Sequence, residues 1–283
     1  MNPSIETFFD EKSCTYSYIV SDPASQSCAI IDSVLDYDHQ SGNTSTGSAD
    51  KLIAYIAQHN LKLEWLLETH VHADHISASH YIKSVCGGEI AIGEHIKQVQ
   101  EVFGPLFNQT VGPHHFDRLL ADGETFNIGN LSVEVIHTPG HTPACMTYVI
   151  GNVAFVGDTL FMPDYGTARC DFPGGDASML YRSIQKLFAL PDHTQLFMCH
   201  DYKAPGRDEF CNETTVYAQR TGNIQIHQGI SEDEFVAMRL ARDATLKVPA
   251  LIIPSVQLNI RAGELPEPAS NGIRYLSIPL NTL

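Results

Sequence analysis

Thr69-His70-Val71-His72-Ala73-Asp74-His75 is the stretch of this chain that decides its fold. Alternate side chains of an extended segment point the same way, so His70 and His72 can enter one cavity. We expect a helix to begin directly after them and to present Asp74 and His75 from its start. Four ligand-type residues at this spacing rarely arise for packing reasons, and they indicate a metal site.

Three further metal-ligand residues follow at the ends of predicted strands: His141 in Thr138-Pro139-Gly140-His141, Asp158 after 154–157, and His200 after 196–199. Taken singly, each has an ordinary explanation, as turn chemistry, a helix cap or a polar residue at a strand end. Taken together with the first cluster, they favour a metal site. Imidazole and carboxylate ligands suit zinc, iron or manganese, and no cysteine occupies these positions.

The hydrophobic pattern alternates strands with helices, which predicts an α/β layered fold of sheets covered by helices. We expect a polar loop over 36–49, followed by a helix capped by Ser48 or Asp50. The predicted strands are 16–20, 28–32, 63–68, 131–136, 144–150, 153–156 and 195–199, and the predicted helices are 74–85, 179–187 and 234–244. The helix over 74–85 should stop at Gly87-Gly88, and Ser231 to Glu234 form a capping box for the helix that follows.

Charge and cysteine usage exclude several classes of protein. The 283 residues include 33 acidic and 17 basic side chains, a formal net charge of −16. Such a field repels polyanions, so we expect no nucleic-acid partner and no membrane partner. Seven scattered cysteines without a CxxC pair do not form a disulfide framework. With no signal-peptide pattern and no apolar run of roughly 20 residues, we expect a soluble, cytoplasmic protein.

With these motifs in this order, the chain resembles the metallo-β-lactamase superfamily over almost its whole length. The resemblance implies an αββα sandwich with the metal site at the edge of its two sheets, and a single domain over 1–283. Asp32, in Ala29-Ile30-Ile31-Asp32, matches the aspartate of the superfamily's first motif, which is structural or lies near the site.

Finer features are similar to the persulfide dioxygenases within that superfamily. They are segments 69–75, 166–172, 200–202 and 253–263. The resemblance implies one ferrous iron per chain and oxidation of glutathione persulfide by O2 to sulfite and glutathione, in sulfide detoxification. The polar insertion at 36–49 and an expansion between 88 and 120 suggest a longer bacterial subtype.

Carried over residue by residue, the resemblance makes His70, His141 and Asp158 the catalytic iron ligands. This is a two-histidine, one-carboxylate arrangement that leaves positions for O2 and a substrate sulfur. Around it would stand four residues that support the first metal or bind a second: His72, Asp74, His75 and His200. The ligand inventory therefore leaves a dinuclear zinc hydrolase open.

Substrate contacts follow from the two carboxylates of glutathione, which arginine binds by paired hydrogen bonds. Segments similar to those of the family contain Arg169, Tyr202 and Arg220, and Lys203 and Arg261 are further candidates. Each of these cations has the alternative of being a solvated surface residue.

Two other functions remain open. A thiolester hydrolase similar to glyoxalase II would use a metal-bound hydroxide on a carbonyl carbon. A non-catalytic metal- or persulfide-binding protein is disfavoured, because the ligand set is complete. A homodimer is an assembly that the sequence leaves open, since no pattern decides the oligomeric state.

Overall fold

The structure is a computed structural model that describes residues 2–282. Its strands, in chain order, are β1 Ser4–Asp10, β2 Thr15–Ser21, β3 Ser27–Ile31, β4 Val34–Asp38, β5 Asn43–Ser45, β6 Lys62–Leu67, β7 Ile76–Ser77, β8 Glu89–Gly93, β9 Arg118–Leu120, β10 Thr125–Ile128, β11 Leu131–His137, β12 Met146–Ile150, β13 Val153–Phe155, β14 Gln195–Phe197 and β15 Glu213–Thr215. Its helices are α1 Gly47–Gln58, α2 Ser79–Cys86, α3 Ile96–Leu106, α4 Ala177–Phe188, α5 Val216–Gly222, α6 Glu232–Asp243 and α7 Ile252–Asn259. Short 3₁₀ turns lie at Pro113–His115 and Gly157–Thr159.

Two six-stranded sheets form the centre of the molecule, and a small three-stranded sheet in the order β5-β4-β7 lies beside them. The first large sheet has the order β1-β2-β3-β6-β8-β9, in which β3, β6, β8 and β9 are parallel to one another and β2 is antiparallel to β3. The second has the order β10-β11-β12-β13-β14-β15, with β13 and β14 parallel. Helical crossovers connect the parallel strands, as such pairs require.

Alternation along the strands creates three apolar layers. In β3, Cys28 and Ile30 pack with residues of α1, α2, α3 and α7, whereas Ala29 and Ile31 face the second sheet. In β13, Phe155 faces the first sheet, and Ala154 packs under α4, α5 and α6. Because both faces of each sheet are covered in this way, the architecture is helix, sheet, sheet, helix. The predicted αββα sandwich is confirmed.

Each predicted strand is present, with ends shifted by up to two residues. The capping box at Ser231 is also present, with Ser231 Oγ accepting the backbone N–H of Glu234. The loop predicted over 36–49 is wrong, because this segment forms most of the β4-β5 hairpin and the first turn of α1. The predicted caps are wrong as well. α1 begins at Gly47, and Asp36 of β4 accepts the backbone N–H and the hydroxyl of Ser48, each at 2.8 Å.

The helix predicted over 74–85 begins only at Ser79 and ends at Cys86, with Gly87 as the expected stop. The side chain of Asn259 explains the late start. Its amide donates to the carbonyl oxygens of His72 and His75, each at 2.8 Å, and its carbonyl oxygen accepts the N–H of Ser77 at 2.8 Å. These backbone groups therefore have hydrogen-bond partners without forming a helix, and residues 72–75 have no regular secondary structure.

Among the described residues, no helix is long and apolar enough to cross a membrane. All seven cysteines are free thiols. The expansion noted between 88 and 120 contains β8, α3 and β9, which complete the first sheet and cover its helical side.

Candidate metal centre

The metal-ligand residues all lie just beyond strand ends at one edge of the sandwich. Segment 70–75 follows β6, His141 follows β11, Asp158 follows β13 and His200 follows β14. β11, β13 and β14 run in the same direction, because β12 is antiparallel to both β11 and β13 and β14 is parallel to β13. Their carboxyl ends therefore meet at one edge, where open α/β sheets commonly bind ligands.

His70, His141 and Asp158 form the first donor cluster. One ligand atom from each lies within 4.8 Å of the others. The Nε2 atoms of His70 and His141 both lie 3.8 Å from Asp158 Oδ2. All three residues are buried. The structure thus brings together the residues that the resemblance assigns to iron, in the two-histidine, one-carboxylate combination.

Hydrogen bonds at Nδ1 orient both imidazoles of the first cluster. His141 Nδ1 donates to the carbonyl oxygen of Arg169 at 2.7 Å. The hydroxyl of Thr69 donates to Asp32 Oδ2 at 2.8 Å, so it accepts from His70 Nδ1 at 3.0 Å. In each ring the proton is held on Nδ1, and Nε2 presents its lone pair toward Asp158.

His72, Asp74, His75 and His200 form the second donor cluster, again with ligand atoms within 4.8 Å of one another. His200 Nε2 lies 3.2 Å from Asp74 Oδ2 and 3.5 Å from Asp158 Oδ1. Among the described residues, His72 Nδ1, His75 Nε2, His200 Nε2 and Asp158 Oδ1 have no hydrogen-bond partner although they are buried. An unsatisfied buried polar atom costs about 1–3 kcal/mol, so these atoms fit metal ligation.

Tyr202 and Thr15 hold the second cluster in place. The Tyr202 hydroxyl donates to Asp74 Oδ2 at 3.2 Å, and its ring stacks on His200 with centroids 5.6 Å apart and planes 14° apart. Thr15 Oγ1 lies 3.3 Å from His75 Nδ1 and 3.2 Å from His200 Nδ1. The Asp74 oxygen nearest His200 is therefore already hydrogen-bonded to protein.

Asp32 links the two histidines of the HxH motif. Its Oδ1 accepts from His72 Nε2 at 3.0 Å and from the backbone N–H of Thr69 at 2.8 Å. Its backbone has a positive φ of 51°, an uncommon conformation for a residue other than glycine. Burial opposes protonation of His72, but Asp32, followed by Glu68, raises the pKa of His72 to about 9. The first-motif aspartate therefore has a structural role beside the site.

Burial shifts the pKa values of three further donor side chains, His70, His75 and Asp158. Burial, reinforced by the neighbouring imidazoles, holds the pKa of His70 well below its usual range. Burial likewise lowers the pKa of His75 to about 4, with His72 adding to the effect. Both rings are thus neutral near pH 7, the form that binds metals. Burial raises the pKa of Asp158 and outweighs the opposite effect of His200.

Gly157 allows the two sheets to approach at the site. Its φ is +53°, and a Cβ there would lie 2.7 Å from Thr69 Oγ1 and 2.8 Å from Thr69 Cβ. Any other residue would push the end of β13 away from the segment that carries His70. The glycine therefore sets the separation between His70 and Asp158.

A cavity of about 290 Å³ opens over the first cluster. Its walls include Ala73, Asp74, His141, Asp158, Phe161, Tyr165, Thr167, Ala168, Arg169, Tyr202, Arg239, Arg242, Leu246 and Pro249. Three of its aromatic rings form a wall in which Tyr202 lies 5.6 Å from Phe161 and 5.5 Å from Tyr165, measured between centroids. A small molecule with an apolar part and an anionic part fits such a lining.

The cavity includes only part of the predicted substrate set. Tyr202 and Arg169 line it, although the Arg169 guanidinium already donates to Asp171 through Nε and Nη2 and to the Lys247 carbonyl oxygen through Nη1. Arg220 does not. It pairs with Asp192 at 2.5 Å and lines a separate depression between α4 and the 227–230 segment.

Lys203 and Arg261 also lie outside the cavity lining. The Lys203 ammonium sits 4.0 Å from the ring centroid of Phe210, and Arg261 pairs with Glu264 at 3.4 Å. The structure therefore brings neither cation to the site, because each is held by an interaction elsewhere.

Two arginines of α6 that the sequence does not single out line the cavity: Arg239, which is buried, and Arg242, which is exposed. Arg239 pairs with Asp243, whereas within residues 2–282 no ion pair involves Arg242. No motif marks either residue, because both lie on an ordinary amphipathic helix. Asn259 lies in segment 253–263, which resembles the persulfide dioxygenases, but the sequence does not indicate a role for its side chain.

The family model described as Metallo-beta-lactamase superfamily matches residues 14–200, which contain every donor described above. A probable metallo-hydrolase of Burkholderia pseudomallei is 57% identical, covering 99% of this chain and 100% of that protein. Glyoxylase B2 of Dictyostelium discoideum is 50% identical, covering 99% of this chain and 97% of that protein.

Similarity also extends to persulfide dioxygenases. The mitochondrial persulfide dioxygenase ETHE1 of Mus musculus is 30% identical, covering 92% of this chain and 88% of that protein. The crystal structure of ETHE1 from Myxococcus xanthus has a TM-score of 0.76 and 29% identity, covering 92% of this chain and 100% of that one.

Proposed function

The chain belongs to the metallo-beta-lactamase superfamily, and from that premise we propose that it is an iron-dependent persulfide dioxygenase. In this proposal it oxidises glutathione persulfide with O2 to sulfite and glutathione, using one iron held by His70, His141 and Asp158. Ferrous iron in such a triad supplies redox chemistry with O2, whereas zinc supplies only Lewis-acid or hydroxide chemistry.

The observation that carries the proposal is the difference in access between the two donor clusters. His141 and Asp158 line the cavity, whereas only Asp74 of the second cluster does. Asp74 in turn is hydrogen-bonded by Tyr202, whose ring covers His200. A substrate in the cavity therefore meets the first cluster directly, and the second cluster acts as its support. The persulfide dioxygenase relatives favour the same assignment.

The cavity residues have separate tasks in this proposal. Phe161, Tyr165 and Tyr202 form an apolar wall that displaces water from the carbon chain of the substrate. Arg242 replaces Arg220 as the candidate for a substrate carboxylate, because it lines the cavity without an ion-pair partner in residues 2–282. His141 and His70 keep their protons on Nδ1, away from the substrate side.

A thiolester hydrolase of the glyoxalase II type is the second candidate. The observation that favours it is the complete second cluster, with buried ligand atoms on His72, His75 and His200 that lack a protein partner among the described residues. Such a set, with Asp158 between the clusters, would suit two metal ions. The similarity to a protein named Glyoxylase B2 points the same way.

The two candidates differ in whether O2 is consumed. We expect the protein, purified with iron, to take up dissolved O2 and release sulfite when glutathione persulfide is supplied, and to leave S-lactoylglutathione intact. Glutathione alone is the matched control, because it lacks the outer sulfur atom. An oxygen electrode and the absorbance of the thiolester give both readings. Thiolester cleavage without O2 uptake would assign the hydrolase, and inactivity toward all three compounds would favour a binding protein.

A further inference from the structure

Helix α6 contains an ion pair that is almost fully removed from solvent. Arg239 is 1% exposed and Asp243 is 6% exposed. The Nε and Nη2 atoms of Arg239 donate to Asp243 Oδ1 at 3.0 and 2.7 Å. Burying two charges costs about as much as their attraction returns, so such a pair is a poor source of stability. Its remaining hydrogen bonds indicate another role.

Apart from one bond to Gln225, those hydrogen bonds reach a single segment, 167–170, at the cavity wall. Arg239 Nη1 donates to the carbonyl oxygen of Thr167 at 3.2 Å, and Asp243 Oδ2 accepts the backbone N–H of Cys170 at 2.8 Å. Gln225 Oε1 accepts from the Thr167 N–H at 2.9 Å and from Arg239 Nη1 at 3.2 Å. The backbone is thus fixed on both sides of residues 168 and 169.

This segment lies in a stretch without regular secondary structure, so side chains hold its backbone in place. Residues 160–176 contain neither helix nor strand. The carbonyl oxygen of Arg169, between the two fixed points, is the acceptor for His141 Nδ1 at 2.7 Å. The Arg169 side chain is tied to the same region, because its Nη1 donates to the carbonyl oxygen of Lys247, just beyond α6.

We propose that the Arg239–Asp243 pair is a positioning device for the metal ligand His141. By fixing the backbone at Thr167 and Cys170, the pair aims the Arg169 carbonyl oxygen at His141 Nδ1, and so aims His141 Nε2 at Asp158. The inference rests on His141 being a metal ligand, as in the proposed function, and it holds for the dioxygenase and the hydrolase alike.

The test compares Asp243→Ala and Asp243→Asn with Glu232→Gln, a matched control. Glu232, also on α6, pairs with Arg182 of α4 at 2.9 Å, and this pair lies at the surface away from the cavity lining. The first reading is the NMR signal of the His141 Nδ1 proton in metal-free, histidine-labelled protein, assigned with His141→Gln. The second is the affinity for Co²⁺, measured by competition with a chelator and by the visible spectrum.

We expect Asp243→Ala to broaden or remove the His141 proton signal and to weaken Co²⁺ binding by about 10- to 100-fold, as for other residues that orient metal ligands. Asp243→Asn, which keeps an acceptor for Cys170, should restore part of both readings, and Glu232→Gln should change neither.

A lower melting temperature in Asp243→Ala with an unchanged proton signal and Co²⁺ affinity would overturn the proposal. If that variant does not fold, Arg239→Gln decides by the same two readings. Wild-type protein that binds no metal would contradict the proposed function, whereas the proton signal in metal-free protein tests the positioning separately.

Discussion

The two donor clusters share one edge of the sandwich but differ in what surrounds them. In the first, His141 and Asp158 line the cavity, and backbone and hydroxyl acceptors hold the imidazole protons away from it. In the second, the Thr15 hydroxyl contacts the Nδ1 atoms of His75 and His200, and the Tyr202 ring stacks on His200. The residue types are nearly the same in both clusters, so the covering residues determine which one a substrate reaches.

The difference shows why a ligand inventory does not determine a reaction. Both clusters would pass a search for histidine and carboxylate spacing, and Asp158 Oδ1 of the first lies 3.5 Å from His200 Nε2 of the second. Only the residues around them distinguish a site open to substrate from one enclosed by protein. Three substitutions test this distinction, one in each cluster and one at the cavity wall.

Asp158→Ala should have the largest effect. It removes the only carboxylate of the first cluster and leaves the Nε2 atoms of His70 and His141 without their facing acidic group. We expect loss of bound metal and of activity to below detection, measured by elemental analysis and by O2 uptake. Asp192→Ala, which removes an exposed carboxylate paired with Arg220, is the control. Full metal content in Asp158→Ala would remove this residue from the ligand set.

Arg242→Ala should have an intermediate effect on substrate binding alone. A charged hydrogen bond at an exposed position contributes about 1 kcal/mol, roughly a fivefold rise in KM, with kcat little changed because the contact holds substrate and transition state alike. Steady-state kinetics with glutathione persulfide give the measurement. Arg220→Ala is the matched control, since that residue lies in a separate depression. A KM effect in the control but not in Arg242→Ala would reverse the assignment.

His200→Ala should have the smallest effect on metal content. His200 is enclosed between Thr15 and Tyr202, and it is not among the first cluster. We expect about one iron per chain to remain, as measured by elemental analysis of protein grown without added zinc. His193→Ala, at an exposed histidine, is the control. Loss of all iron from His200→Ala would show that the two clusters act as one site.

The sequence predicted the layered fold and the positions of both donor clusters, because strand-end histidines and alternating apolar residues are local patterns. It did not predict the non-helical backbone over 72–77, which is held by Asn259 from a helix near the end of the chain. The resemblance also predicted Arg220 as a substrate contact. Local similarity cannot show that this side chain points toward Asp192 and away from the cavity.

The contacts that hold the cavity wall could not be predicted either, because they too depend on tertiary packing. Arg239 and Asp243 occupy i and i+4 positions of α6, a spacing that ordinarily marks a solvated helix pair. Only tertiary packing buries them and directs them to the backbone of Thr167 and Cys170. A single sequence contains no signal for such a contact.

The distribution of donors over both sheets has a consequence for how the protein is made. His70 follows a strand of the first sheet, whereas His141 and Asp158 follow strands of the second. A ribosome must therefore synthesise more than half of the chain before the first donor cluster is complete, and α6, which in our proposal orients His141, is synthesised later still. Because such long-range contacts form slowly and a metal site rarely exists before folding, metal uptake would be a late, post-translational event. The cell's supply of metal at that moment, and not during early synthesis, would determine which ion the protein acquires.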